Sequence, residues 1–323
     1  MDSRGRVFVP YGVQLEGMYT TNWRYDVSDA HLTLDQMVAA RNFWHANTVS
    51  LQLASANLFA DTPYDAQYLA KIDQEVRWAH QENLNILLVL QYEATTAQVL
   101  PTRDSIEFWD LLSKHYRNAP WVFFDIFNEP KHPAGISEAQ SWLLWARGGL
   151  GYVGMQQIVD TIRGNGVQNL VFIDGLAAGE DLQGVPLHRI HGKNIVYAIH
   201  PYFGPQHKTR ADWDHWFGFV VAKADFPIVA DEWGEYQTTN EQCLPQAPIL
   251  VPQLLDYLKK LHIGVIAWAL FPGLLIRGWN YTNPTAFDQP LYLCEAPFPN
   301  YDPQAQGIGE MIRRYFAANS IAN

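Results

Sequence analysis

The chain has 323 residues, 48% of them apolar and 14% aromatic, which is enough to bury a full core and too apolar for a disordered chain. Against 33 Asp and Glu it carries 22 Lys and Arg, a formal charge of −11 that argues against nucleic acid or an anionic membrane surface as partner. No apolar run approaches a membrane span, the visible N-terminus offers no export signal, and two cysteines, Cys243 and Cys294, are too few for a disulfide scaffold or a four-cysteine zinc site. Twelve Trp and sixteen Tyr are rings that can stack on sugar faces, although most of them are expected in the core.

Taken in chain order, short β-branched or aromatic runs alternate with longer stretches of helical period. The predicted strands are Val7–Leu15, Asn47–Leu53, Leu84–Leu90, Trp121–Phe127, Asn169–Asp174, Asn194–His200, Pro227–Asp231 and Gly264–Leu270. Helical patterns fall at Leu32–His45, Asp65–Gln81, Ile106–His115, Gly154–Arg163, Asp212–Lys223, Leu250–Leu261 and Ile308–Ala317. Apolar runs of this kind suit parallel strands covered on both faces, so the expectation is eight strand–helix units closing into a (β/α)₈ TIM barrel, one domain over residues 1–323. A doubly wound open sheet is the alternative. The long Pro-rich and aromatic segment Pro272–Pro303, with Trp279 and Tyr281, is expected to wall a site.

In such a barrel the chemistry sits where strands meet their following loops. Strand four runs into Asn128-Glu129-Pro130, strand six into His200-Pro201-Tyr202, strand seven into Asp231-Glu232-Trp233-Gly234, and strand eight ends around Trp268. Any one of these alone reads as a cap, a loop residue or core. Together they put two carboxylates at opposite sides of one pocket, as two-carboxylate glycoside hydrolysis requires.

These segments resemble glycoside hydrolase family 5, the cellulase and mannanase family, in order and strand placement over essentially the whole chain. The resemblance implies a retaining hydrolase of β-linked glucan or mannan, with Glu129 as acid/base and Glu232 as nucleophile. It implies that Asn128 binds the sugar 2-hydroxyl, Tyr202 contacts the nucleophile, His200 lines the cleavage subsite and Trp268 forms its floor. Glu16, Gln52, Tyr92 and Trp279 are further candidates for substrate binding. No metal or organic cofactor is implied, and the partner is an oligo- or polysaccharide, which favours an extracellular place. Two positions depart from the pattern: Ser50 stands where the family carries an Arg, and Gln91-Tyr92-Glu93 where it carries a His. Loss of that cation should raise the pKa of Glu232. An exo-acting or transglycosylating enzyme, or a sugar-binding pseudoenzyme, are the competing functions.

Other signals are weaker. Gly149-Leu-Gly151-Tyr-Val-Gly154 has the form of a dinucleotide fingerprint, but a helical stretch, Ser137–Arg147, precedes it where a strand is needed. His188 and His191 lack a third ligand nearby, and no Gly-x-Ser-x-Gly elbow is present. Trp142, Trp145, Trp213 and Trp216 read as packing. Cys243 and Cys294 fall in neighbouring loops, where a bridge and free thiols are both open.

Overall fold

The computed structural model describes residues 8–19, 31–94, 98–224, 226–235, 246–287 and 307–320. Each apolar run forms a strand: β1 Tyr11–Gln14, β2 Thr48–Ala54, β3 Asn85–Tyr92, β4 Val122–Asp125, β5 Val171–Asp174, β6 Ile195–Ala198, β7 Ile228–Trp233 and β8 Gly264–Ala267. All neighbours pair in parallel, and β1 pairs with both β2 and β8, so the sheet closes into an eight-stranded barrel. This is the (β/α)₈ TIM barrel expected from the sequence. Residues 20–30, 236–245 and 288–306, and with them Trp23, Cys243 and Cys294, lie outside the described residues.

Strand side chains alternate between faces. Outward residues such as Leu88, Phe124, Ile173 and Ala230 join the large cluster shared with the helices. The barrel interior holds its own apolar layer, with Val89, Phe123, Phe172, Ala198, Val229 and Ile266 drawn from six of the eight strands and Leu87 packed beside them. Two positions further along the same chains come Gln91, Asp125, Asp174, His200, Asp231 and Trp268. The barrel thus passes from a wholly apolar layer to a mostly polar one in a single step, at the end where the strands run out.

Two register shifts aim more side chains at that end. Against β8, β7 carries one extra residue between Ala230 and Trp233, and against β2, β3 carries one extra between Leu90 and Tyr92. A bulge of this kind breaks the alternation locally, so consecutive residues such as Asp231 and Glu232 can both turn toward the site.

The helices depart from strict alternation in one connection. Between β5 and β6 residues 175–194 form turns, with no helix, whereas β4–β5 carries two helices, Glu138–Arg147 and Met155–Gly164. The turns follow from glycine. A Cβ on Gly175 would stand 2.0 Å from the Asp181 carbonyl oxygen, and one on Gly184 would stand 2.1 Å from the Trp142 ring. The glycine motif resolves in the same region: Gly148–Gly149 pairs antiparallel with Tyr152–Val153 in a two-residue ladder, fed by a helix rather than a strand. It makes a hairpin, not a phosphate cradle. Trp142, Trp145 and Trp213 are buried packing residues. The first half of the Pro-rich segment is tied to the barrel wall, with Trp44 Nε1 donating to the Tyr281 carbonyl at 2.7 Å and Tyr281 Oη to that of His31 at 3.0 Å.

The fully buried Trp145 links this frame to the polar layer, its Nε1 donating to the Asp174 carbonyl at 2.9 Å. Trp145→Phe keeps most of the packing but leaves that carbonyl unpaired, at an expected cost of about 1–3 kcal/mol. Urea denaturation should show a lower midpoint at an unchanged slope.

Candidate active site

Glu129 leaves β4 through a left-handed residue: its φ is +52°, and its backbone N–H donates to Asp174 Oδ2 at 2.8 Å. That bond fixes a conformation that L-residues rarely adopt. Asn128 before it is buried, its N–H donating to the Leu90 carbonyl at 3.0 Å. Glu232 comes from the bulge of β7. One oxygen of Glu129, one of Glu232 and a ring nitrogen of His200 all lie within 4.8 Å of one another.

The buried His200 is the hub of the cluster. Its Nδ1 is 3.5 Å from Glu129 Oε1 and 4.0 Å from Glu232 Oε1, and its Nε2 is 3.5 Å from both Asp174 Oδ2 and Asp231 Oδ1. Tyr202 Oη donates to Glu232 Oε1 at 3.2 Å. Tyr92, beside the β3 bulge, lies close enough for both glutamate charges to push its pKa up, after the larger effect of burial. Trp268 follows β8 with its N–H on the Trp233 carbonyl, and its peptide bond to Ala269 is cis. A Cβ on Gly234 would stand 2.6 Å from the Trp268 carbonyl oxygen, so only glycine lets the turns after β7 and β8 approach this closely.

The remaining candidates stand further out. Gln52 is buried and donates to Ser50 Oγ at 3.3 Å, so β2 offers hydroxyl and amide where the family resemblance leads one to expect a guanidinium. Glu16 lies toward Tyr281, whose pKa its charge helps to raise, behind burial. Trp279 is not brought to the carboxylates by any contact: it stacks on His31 at 3.4 Å, meets Phe271 edge-on, and borders an outer cavity of about 520 Å³ with Asp35, Asn42 and Asn280.

Sequence reasoning gave no role to Asp125, Asp174, Asp231, Glu180 or Glu235. The signal for the first two was present, as Val-Phe-Phe-Asp125 and Val-Phe-Ile-Asp174 each end an apolar strand on one acid. Burial holds Asp125 and Asp174 well above the usual carboxylate range; repulsion from Asp174 and Asp231 adds to it for Asp125, and repulsion from Asp231 and Glu129 for Asp174. For His200 burial opposes the charge, but Asp174, Glu232, Asp231 and Glu129 outweigh it and raise its pKa well above that of a free imidazole. Burial pushes Glu232 up to about 7; His200 pulls against it, repulsion from Glu129 and Asp231 adds to it, and the hydrogen bond from Tyr202 lowers it a little. Glu129 goes the other way: burial would raise it, yet His200 and Lys131 bring it below its ordinary value. Glu180, near Glu129 and His200, is raised to about 7 and Glu235 to about 8, both chiefly by burial.

Two triads, Glu129–His200–Glu232 and Asp174–His200–Asp231, each bring three polar atoms within 4.8 Å of one another, and they share one imidazole. Among the described residues no helix is long and apolar enough to cross a membrane.

The family model described as cellulase (glycosyl hydrolase family 5) matches residues 1–273. The chain belongs to that family. It is a glycoside hydrolase built as a cellulase-type barrel. Among solved structures it resembles a β-glucanase from Saccharophagus degradans in complex with cellotetraose, at 20% identity and a TM-score of 0.76, over 99% of this chain and 91% of that one. The hyperthermophilic endocellulase of the archaeon Pyrococcus horikoshii matches at 16% identity and a TM-score of 0.69, over 96% of this chain and 93% of that one. The catalytic domain of the major endoglucanase of Xanthomonas campestris pv. campestris does so at 15% and 0.69, over 99% and 97%.

The raised pKa of Glu232 is also a statement about stability. The folded chain holds its proton up to about pH 7, whereas the unfolded chain releases it near the ordinary Glu value. The stability that Glu232 contributes is therefore full below the unfolded value and is lost as pH rises through the folded one. Glu232→Gln, which still accepts from Tyr202, should match wild type at pH 4 and exceed it by about 3 kcal/mol at pH 8. Denaturant titrations at the two pH values measure the difference.

Proposed function

We propose that this family 5 enzyme cleaves internal bonds of a β-linked glucan with retention of configuration, Glu232 acting as nucleophile and Glu129 as acid/base. The observation that carries the reading is the approach of the two carboxyls within 4.8 Å beside one imidazole. Retaining pairs stand about 5–5.5 Å apart, whereas inverting pairs leave about 6.5–9.5 Å for a water. β-Glucanases and endocellulases among the structural relatives favour glucan over mannan as substrate. We read the whole chain as one catalytic unit acting on polysaccharide outside the cell.

In the first step a Glu232 oxygen attacks the anomeric carbon while its bond to the leaving oxygen breaks, and Glu129 gives that oxygen its proton. In the second, water attacks the same carbon, Glu129 takes a water proton, and the ester to Glu232 is released. The pair exchanges one proton and one negative charge over the cycle, with no other participant. The sugar 2-hydroxyl would meet Asn128, and the ring would rest on Trp268.

The resting proton balance pulls against these roles. The higher pKa lies on Glu232 and the lower on Glu129, so pKa order alone would name Glu232 the acid. Two carboxyls this close titrate as a unit, and the reactive form has the shared proton on Glu129. The hydrogen bond from Tyr202 supports the anionic form of Glu232 and so favours it as nucleophile.

Azide separates the alternatives. Wild type should release cello-oligosaccharides from β-glucan, and Glu129→Ala or Glu232→Ala should lower kcat/KM by at least about 10³-fold. With an activated aryl β-glycoside, azide should rescue Glu232→Ala with an α-glycosyl azide and Glu129→Ala with the β-anomer. The reverse pattern would swap the two roles. Sugar-dependent thermal stabilisation without turnover on glucans or mannans would instead mark a binding protein.

A further inference from the structure

Both ring nitrogens of His200 face carboxyl oxygens, Nε2 toward Asp174 and Asp231 and Nδ1 toward Glu129 and Glu232, at 3.5–4.0 Å. A neutral imidazole has one N–H, so it would turn a lone pair against oxygen on one side or the other. An imidazolium donates from both. The residue is anchored by its backbone N–H, which donates to the Gly179 carbonyl at 2.9 Å, and the ring lies so close to Gly179 that a Cβ there would stand 2.9 Å from its Cγ. On the far side, both carboxyl oxygens of Asp231 and Oδ1 of Asp174 are buried without a hydrogen-bond partner, as is Nδ1 of the ring itself, so ring and acids face one another at charge-pair distances of 3.5–4.0 Å.

Among the described residues no Lys or Arg forms an ion pair with Glu129 or Glu232, although Lys131 acts on Glu129 from further off. We propose that Asp174 and Asp231 are positioning residues that hold His200 as a buried imidazolium, and that this imidazolium is the shared cation of the catalytic pair. The catalytic half of this proposal rests on the retaining reading above.

The geometry suits the charge movement of the reaction. Before glycosylation the negative charge is on Glu232 and the proton on Glu129. Afterwards Glu232 is a neutral ester and Glu129 is anionic. One charge has crossed the pair, and Nδ1 faces an oxygen at each end of that crossing. A cation beside Glu232 alone would hold the charge back, whereas one between the two serves both ends without moving. The other titratable groups around the ring are Asp125 of β4, Glu180 of the β5–β6 loop, and Tyr92 and Tyr202 at the rim. Asp125, Asp174 and Glu180 are all raised by burial, and each favours the positive ring in the fraction that is ionised.

The test is long-range ¹H–¹⁵N NMR of the imidazoles in the full chain, with His200 assigned through His200→Gln, beside pH profiles of kcat/KM. In wild type the doubly protonated signature of His200 should persist to pH 9. In Asp231→Asn or Asp174→Asn its midpoint should fall by at least one pH unit, and kcat/KM should decline with rising pH through that same midpoint. Wild type needs no variant to fold: a neutral His200 at pH 7 overturns the proposal. So does a loss of activity uniform in pH with the His200 midpoint unmoved, which is what a merely structural role gives. Stoichiometric zinc in the purified chain also overturns it, because a metal-bound Nε2 carries no proton. A doubly protonated ring in a wild type that turns over no glycan would sink the retaining reading and the catalytic half, and leave the clamp standing.

Discussion

The end of this barrel is organised by the cost of burying like charges together. Asp125, Asp174, Asp231, Glu129 and Glu232 converge on one buried imidazole, and among the described residues no Lys or Arg forms an ion pair with any of them. Burial raises the pKa of Asp125, Asp174 and Glu232, and the charge of His200 offsets part of that cost for each. Most of the local structure follows from that. Glu129 takes a left-handed backbone because its N–H answers Asp174, and the β5–β6 connection lies flat under the ring because Gly179 leaves it room.

The fold was legible because its signal is summed over many residues. Each strand is covered on both faces, and a continuous apolar run reports that directly, so all eight could be read. The β5–β6 connection was not, because glycines 175, 179 and 184 act through tertiary contacts with Asp181, His200 and Trp142 that no local pattern shows. The fingerprint-like glycines failed in the opposite sense. Their spacing was right, but a helix feeds them, and preceding context decides what a glycine turn can hold.

The site divides along similar lines. Glu129, His200, Tyr202 and Glu232 were legible because each follows a strand at the barrel's open end, and the structure brings these four together. Asp125 and Asp174 were not, since one acid closing an apolar strand reads as a cap or a turn. Only the closed register shows that they stand two residues beyond Phe123 and Phe172 in the interior layer. The bulges in β3 and β7 escaped for a further reason. A single extra residue leaves composition and period almost unchanged, yet it decides whether Glu232 faces the open end of the barrel or the helices.

An anionic pocket in a chain of net charge −11 would repel most metabolites, which carry phosphate or carboxylate. A neutral glycan, the substrate class proposed above, is not repelled, and it presents hydroxyls and apolar ring faces for which amide and aromatic side chains are suited partners. The crowding that lifts Glu232 to about 7 is therefore no barrier to such a ligand, and it works in favour of catalysis. A carboxyl near neutrality shares its proton readily with a neighbour a few ångströms away, whereas one at its ordinary value would have surrendered it to solvent. The stability lost by ionising the pair is offset elsewhere, in the apolar layers and the tryptophan frame beneath. The active end can stay strained only because the rest of the barrel is not.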